Sequence, residues 1–163
     1  MDPAFRLLGP LEVRTGSGAA VHLGGPKPRA LLALLLLHRG DAVSVDRLVD
    51  TLWGEGAGDA AATTLRSHVA RVRQALLTAG VPANLTSRSG GYALEVEAEQ
   101  VDAELFERRL ARGRDAATAG RHAEAAELLA DALDLWRGDV LADLPGLAAA
   151  VAADLTEKRL AAL

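Results

Sequence analysis

Residues 30–37 read ALLALLLL, and wound as a helix they point apolar side chains in nearly every direction. Such a helix has no face for water, so it belongs at the centre of a core with other elements packed around it. The run is less than half of the roughly 20 residues that a bilayer span requires, so the chain has to cover it with its own protein. Pro26 and Pro28 stand where a helix start tolerates proline, Leu31 to His38 continue it, and Gly40 stops it. With 163 residues, half of them hydrophobic, the chain can supply one medium domain or two small ones around that core.

The flanking segments supply the cover. Ahead of the helix, FRLLGPLEVRTGSGAAVHLGG has short apolar runs broken by GlyPro and ThrGlySerGly, which predicts small antiparallel strands near 5–8, 11–14 and 20–23. Behind it, Ser44 is a good N-cap for SVDRLVDTLW, where Val45, Leu48, Val49, Leu52 and Trp53 fall on one helical face and Gly54 ends the run. Asp59 is a natural N-cap for a long third helix that runs to about Ala79 and stops at Gly80. NLTSRSGGYALEV then reads as a β-hairpin with its tip near Arg88 to Gly91 and with Tyr92, Leu94 and Val96 at period two.

Composition shifts after EVEAEQ at 95–100. Asp102 can cap a helix carrying Phe106 and Leu110, Arg121 to Trp136 form a second, and Leu147 onward a third. Helix pairs with glycine turns fit an α-solenoid unit of the tetratricopeptide sort, here incomplete, because such repeats bury their faces on neighbours. The final LTEKRLAAL stops in mid-helix by its period, which favours a truncated unit.

The third helix carries the pattern with the most chemistry. At 100° per residue, Leu65, Val69, Val72 and Leu76 fall within about 60° of one another and make a seam for the core. Opposite lie Thr63, Ser67, Ala70, Arg71 and Gln74, with Thr64 and Arg66 on the flanks and His68 nearer the seam. Threonine, serine, glutamine and arginine hydrogen-bond base edges and phosphates, and Ala70 keeps one position small for a close approach. The net charge of −4 argues against a nucleic-acid partner only as an average. Residues 1–100 hold ten basic and ten acidic side chains, so the deficit lies wholly in 101–163. Residues 60–94 contain four arginines and no acid, and phosphate attraction follows the local field. Three helices followed by a glycine-tipped hairpin with an arginine form the layout of a winged helix-turn-helix, whose third helix enters the major groove.

Other chemistries find little support. Without cysteine there are no disulfides, thiolate nucleophiles or cysteine zinc sites. His22, His38, His68 and His122 show no ligand spacing, so no metal is expected, nor any cofactor. GGPK at 24–27 lacks the spacing of a phosphate loop and reads as a turn into a helix. Trp53 and Trp136 read as core anchors, Tyr92 as a residue holding the hairpin to the helices, and Glu124, Glu127, Asp131 and Asp134 as a solvated face. No nucleophile with a base can be assembled, so an enzyme is not expected. MDPAFRLLGPLEV lacks the layout of a signal peptide, which leads to the expectation of a cytoplasmic, nucleoid-associated protein without membrane contact.

On these residues the chain resembles a known family. PKPRALLALLLLHRG, VSVDRLVDTLWG, TLRSHVARVRQAL and RSGGYAL within 5–98 resemble the OmpR-type winged helix, and VDAELFERRLARGRDAA with GRHAEAAELLADALDLWRGDVLADL resembles the bacterial transcriptional activation domain. Together they resemble the Streptomyces antibiotic regulatory proteins. The resemblance implies an α+β winged helix with its small N-terminal sheet over 1–98 and an all-α tetratricopeptide-like domain over 99–163. It implies an activator of antibiotic biosynthesis genes that binds direct repeats in double-stranded DNA, side by side as a homodimer, and recruits RNA polymerase holoenzyme. Carried over by position, helix 59–79 would enter the major groove, with Ser67 and Arg71 reading bases and Thr63, Thr64, Arg66, His68, Arg73 and Gln74 beside them on phosphates or flanking groups. The wing at 85–96 would bring Arg88 to the minor groove. The alternative is an interaction module in which the C-terminal helices bind a protein and the winged helix is a scaffold.

Overall fold

The computed structural model describes residues 2–163. They form two compact units, Val13–Glu97 and the N-terminal segment through Glu12 joined with Ala98–Leu163. The first two strands, β1 (Phe5–Arg6) and β2 (Glu12–Val13), pair as a small sheet, and Glu12 closes the N-terminal segment.

In the unit from Val13 to Glu97, helix α1 (Pro26–Leu37) takes the central place its composition requires, with every residue from Leu31 to Leu36 buried. Around it pack α2 (Val45–Trp53), α3 (Asp59–Thr78) and the last strand of the unit, β5 (Gly91–Val96). Ser44 caps α2 as expected, its hydroxyl accepting the Arg47 N–H at 3.2 Å, and Gly54 ends the helix at φ +86°. At the start of α3 the N-cap is Gly58 rather than Asp59. Gly58 takes φ +41° as the chain turns in, and Asp59 lies in the first turn, where its carboxylate meets the positive end of the helix.

The hairpin runs from β4 (Ala83–Arg88) to β5 with Arg88 opposite Gly91. Its two-residue loop, Ser89 and Gly90, has φ of +46° and +76°, the left-handed backbone that type I′ turns demand. A third strand that the sequence pattern did not indicate, β3 (Val43–Ser44), pairs with β5, giving the order β3-β5-β4. Gly91 admits it, since a Cβ there would lie 2.0 Å from the Val43 carbonyl oxygen. The strand expected at 20–23 reduces to one bridge, Arg14 with Ala20, because the turn at 15–19 bonds chiefly to itself.

In the other unit, α4 (Asp102–Thr118) and α5 (His122–Leu133) form a close helix pair, with Gly113 packed so tightly that a Cβ would meet Leu129 at 2.8 Å. A third helix, α6 (Pro145–Ala162), follows. Trp136 lies beyond the end of α5 rather than within it. Shorter i→i+3 bonds close the last turn, and the indole packs edge-on to Phe106 at 5.4 Å.

The N-terminal segment folds with these helices, whereas the sequence placed it with the winged helix. Asp102 is the reason. It does not cap α4; its carboxylate is buried and accepts the N–H groups of Leu7 and Leu8. Phe5 bridges to Val101, the Arg137 N–H donates to the Leu8 carbonyl, and Asp143 accepts the Leu11 N–H.

Candidate nucleic-acid interface

Helix α3 separates its two sides as the wheel predicts. Leu65, Val69, Val72 and Leu76 are each 2% exposed or less, which is worth about 1.5–3 kcal/mol per side chain and fixes the rotation of the helix against the core. That rotation turns Thr63, Thr64, Arg66, Ser67, Ala70, Arg71, Arg73 and Gln74 to solvent and leaves His68 half-buried at the edge. After Asp59 the helix carries no acid, so nothing on its own surface neutralises the three arginines.

Hydrogen bonding divides these side chains into two sets. Arg73 donates its Nε–H to the Leu85 carbonyl at 3.0 Å and so ties α3 to the first strand of the hairpin. Thr64 bonds back to the Ala60 carbonyl, and Gln74 donates to the Thr78 hydroxyl. Arg88, at the end of β4, donates to the Gly40 carbonyl at 2.7 Å and stands 3.9 Å from Glu95. By contrast, among the described residues the side chains of Thr63, Arg66, Ser67 and Arg71 make no hydrogen bond or ion pair. These four span nine residues of one face, about 12 Å along the axis, which matches the width of the major groove.

At the edge of the face His68, a residue the sequence pattern did single out, meets groups that it did not: Trp53 and Lys27. His68 stacks on Trp53 with ring centroids 5.9 Å apart and planes 16° from parallel. Lys27 lies over the same indole at 5.6 Å and donates to the Leu52 carbonyl. Trp53 is therefore half-buried, with one edge in the core and its ring serving His68. Burial, then the charges of Arg71 and Lys27, hold the His68 imidazole below its ordinary pKa, so it is neutral at pH 7. Gly24 is a third such residue, lying directly beneath the Arg71 side chain. No spacing rule connects residues 24, 27, 53 and 68, since three helices and the loop before the first bring them together.

Among the described residues, no group of three or more histidines and carboxylates could hold a metal ion, and no helix is long and apolar enough to cross a membrane.

The chain is similar to known proteins. Residues 18–94 match the family described as transcriptional regulatory protein, C terminal, and residues 101–163 match the bacterial transcriptional activator domain. Regulatory protein AfsR of Streptomyces coelicolor is 39% identical over 150 residues, covering 87% of this chain and 14% of AfsR. Regulatory protein DnrI of Streptomyces peucetius is 37% identical over 147 residues, 86% of this chain and 54% of DnrI. The structure of Mycobacterium tuberculosis EmbR in complex with a low affinity phosphopeptide superposes with a TM-score of 0.89 at 36% identity, over 97% of this chain and 42% of that one. The chain thus spans between a seventh and about half of the length of these relatives. An OmpR-type winged helix followed directly by a bacterial transcriptional activator domain is the arrangement of the Streptomyces antibiotic regulatory proteins, and the chain carries both domains and is similar to members of that family over most of its length.

Proposed function

We propose that the chain is a sequence-specific DNA-binding transcriptional activator. Helix α3 lies in the major groove, where Arg71 and Ser67 read base edges and Thr63 and Arg66 meet base edges or backbone oxygens. The hairpin β4–β5 follows the backbone toward the minor groove. Two copies lie side by side on direct repeats, and the helical unit recruits RNA polymerase holoenzyme at promoters of secondary-metabolite genes. The observation that carries this reading is the acid-free face of α3, on which Thr63, Arg66, Ser67 and Arg71 keep their donors unengaged while the opposite face is buried. Guanidinium groups suit guanine edges and phosphates because their paired N–H donors match both.

Selection of duplexes from a random library with the intact chain, followed by fluorescence anisotropy, tests it. The selected duplex is expected to bind about a thousandfold tighter than random DNA, with affinity falling steeply as salt rises. A preference below about tenfold would overturn sequence-specific binding, and failure of the bound complex to retain holoenzyme would overturn recruitment.

A further inference from the structure

Arg71 leans on backbone that carries no side chain. A Cβ built on Gly24 would lie 2.7 Å from Arg71 Nη1, 3.2 Å from its Cδ and 3.6 Å from its Cζ. The guanidinium and the end of its stem therefore occupy the space that any other residue at position 24 would fill. Gly24 also has φ of +101°, a conformation that L side chains rarely adopt, so backbone and packing both ask for glycine there. Arginine has a long stem that otherwise samples many rotamers, and a flat backbone surface alongside it removes part of that freedom before any ligand arrives.

Arg71 forms one wall of an open groove of about 480 Å³ with Gln74, Ala75 and Thr78, and the segment Thr15 to His22 forms the other. Gln74 is engaged with Thr78, whereas the Arg71 guanidinium makes no hydrogen bond or ion pair among the described residues. Gly24 thus supplies the support on one side of the guanidinium, and the groove lies open on another.

We infer that Gly24 is a positioning residue that sets the direction of the Arg71 guanidinium and so fixes which base pair Arg71 discriminates. This rests on the reading of Arg71 as a base-contacting side chain, and the experiment separates the two. The intact chain is compared with Arg71→Ala, Gly24→Ala and the double variant on the selected duplex, on all its single-base changes and on random DNA. Arg71→Ala is expected to lower discrimination at one base pair by about tenfold. Gly24→Ala is expected to lower it at the same pair by about fivefold, to leave the other pairs within about twofold, and to have no further effect when Arg71 is already alanine. A loss equal on all sequences, or one that persists in the Arg71→Ala background, overturns the positioning role. An Arg71→Ala protein with every preference intact overturns the base-contact reading instead, and the role of Gly24 with it.

Circular dichroism reports which variants fold, and Gly24→Asn, more at ease at positive φ, replaces alanine where alanine unfolds the chain. Wild-type protein gives a direct check: nuclear Overhauser contacts from Gly24 Hα to Arg71 Hδ are expected without DNA, and their absence overturns the proposal.

Discussion

The Asp102 carboxylate accepts the backbone N–H of Leu7 at 2.6 Å through one oxygen and that of Leu8 at 3.0 Å through the other. Burial pushes its pKa up from 3.8 to about 6, and the two backbone donors with the charge of Arg137 only partly oppose that rise. A carboxyl whose folded pKa exceeds its unfolded value stabilises most while protonated. Its contribution is full below about pH 4 and is lost as pH rises through 6, on the order of 3 kcal/mol in all. The unfolding free energy of the wild type should therefore fall between pH 4 and 7 relative to Asp102→Asn, which has no charge to gain. Urea denaturation of both proteins across that range measures the difference, and parallel curves would contradict the assignment.

Deleting residues 1–12 should unfold the helical unit and spare the winged helix. Phe5, Leu7, Leu8 and Leu11 are buried, and the segment holds the turn after α5 through Arg137 to the Leu8 carbonyl and Leu141 to the Leu7 carbonyl. Four buried apolar side chains at about 1.5–3 kcal/mol each exceed what one small unit can lose. In proton–nitrogen correlation spectra of a chain starting at Val13, peaks from 98–163 should collapse to the unfolded region while those of α1 and α3 keep their dispersion.

This placement was not legible in the sequence, and the reason is local. Asp102 stands where a helix-capping aspartate would stand, so position alone predicts a cap, whereas its partners lie about 95 residues away. Strand β3 was missed because two residues, Val43 and Ser44, are too few to show a period. By contrast, ALLALLLL and the seam of α3 were legible because burial on one side of a helix repeats every turn. The site was legible to the same depth. The wheel separates outward from inward, but it cannot tell Arg73, which holds a strand carbonyl, from Arg66, which holds nothing.

That difference should appear on substitution. Arg73→Ala removes a hydrogen bond to Leu85 worth about 1 kcal/mol and loosens β4, so amide exchange across Ala83–Arg88 should quicken even without DNA. Arg66→Ala should leave exchange unchanged and weaken DNA binding. If both variants show wild-type exchange, the Arg73 bond is not formed in solution.

The stack of His68 on Trp53 gives a test that needs no DNA. Burial comes first among the causes that lower the His68 pKa, with the charge of Arg71 second and Lys27 third. Removing Arg71 takes away one of the two opposing charges and leaves the stack in place. In Arg71→Ala the His68 titration, followed through its Hε1 resonance, should therefore move up toward 6.5 without reaching it. Since a histidine with a depressed pKa destabilises the fold once it is protonated, the wild type should lose stability as pH falls below 6.5, and Arg71→Ala should lose less. DNA phosphates near the same edge would add negative potential and raise the His68 pKa on binding, so complex formation at pH 6 should take up protons. Titration calorimetry in buffers of different ionisation enthalpy measures that uptake. A His68 titration unmoved by Arg71→Ala would show that the guanidinium points away from the imidazole, contrary to the geometry at the edge of α3.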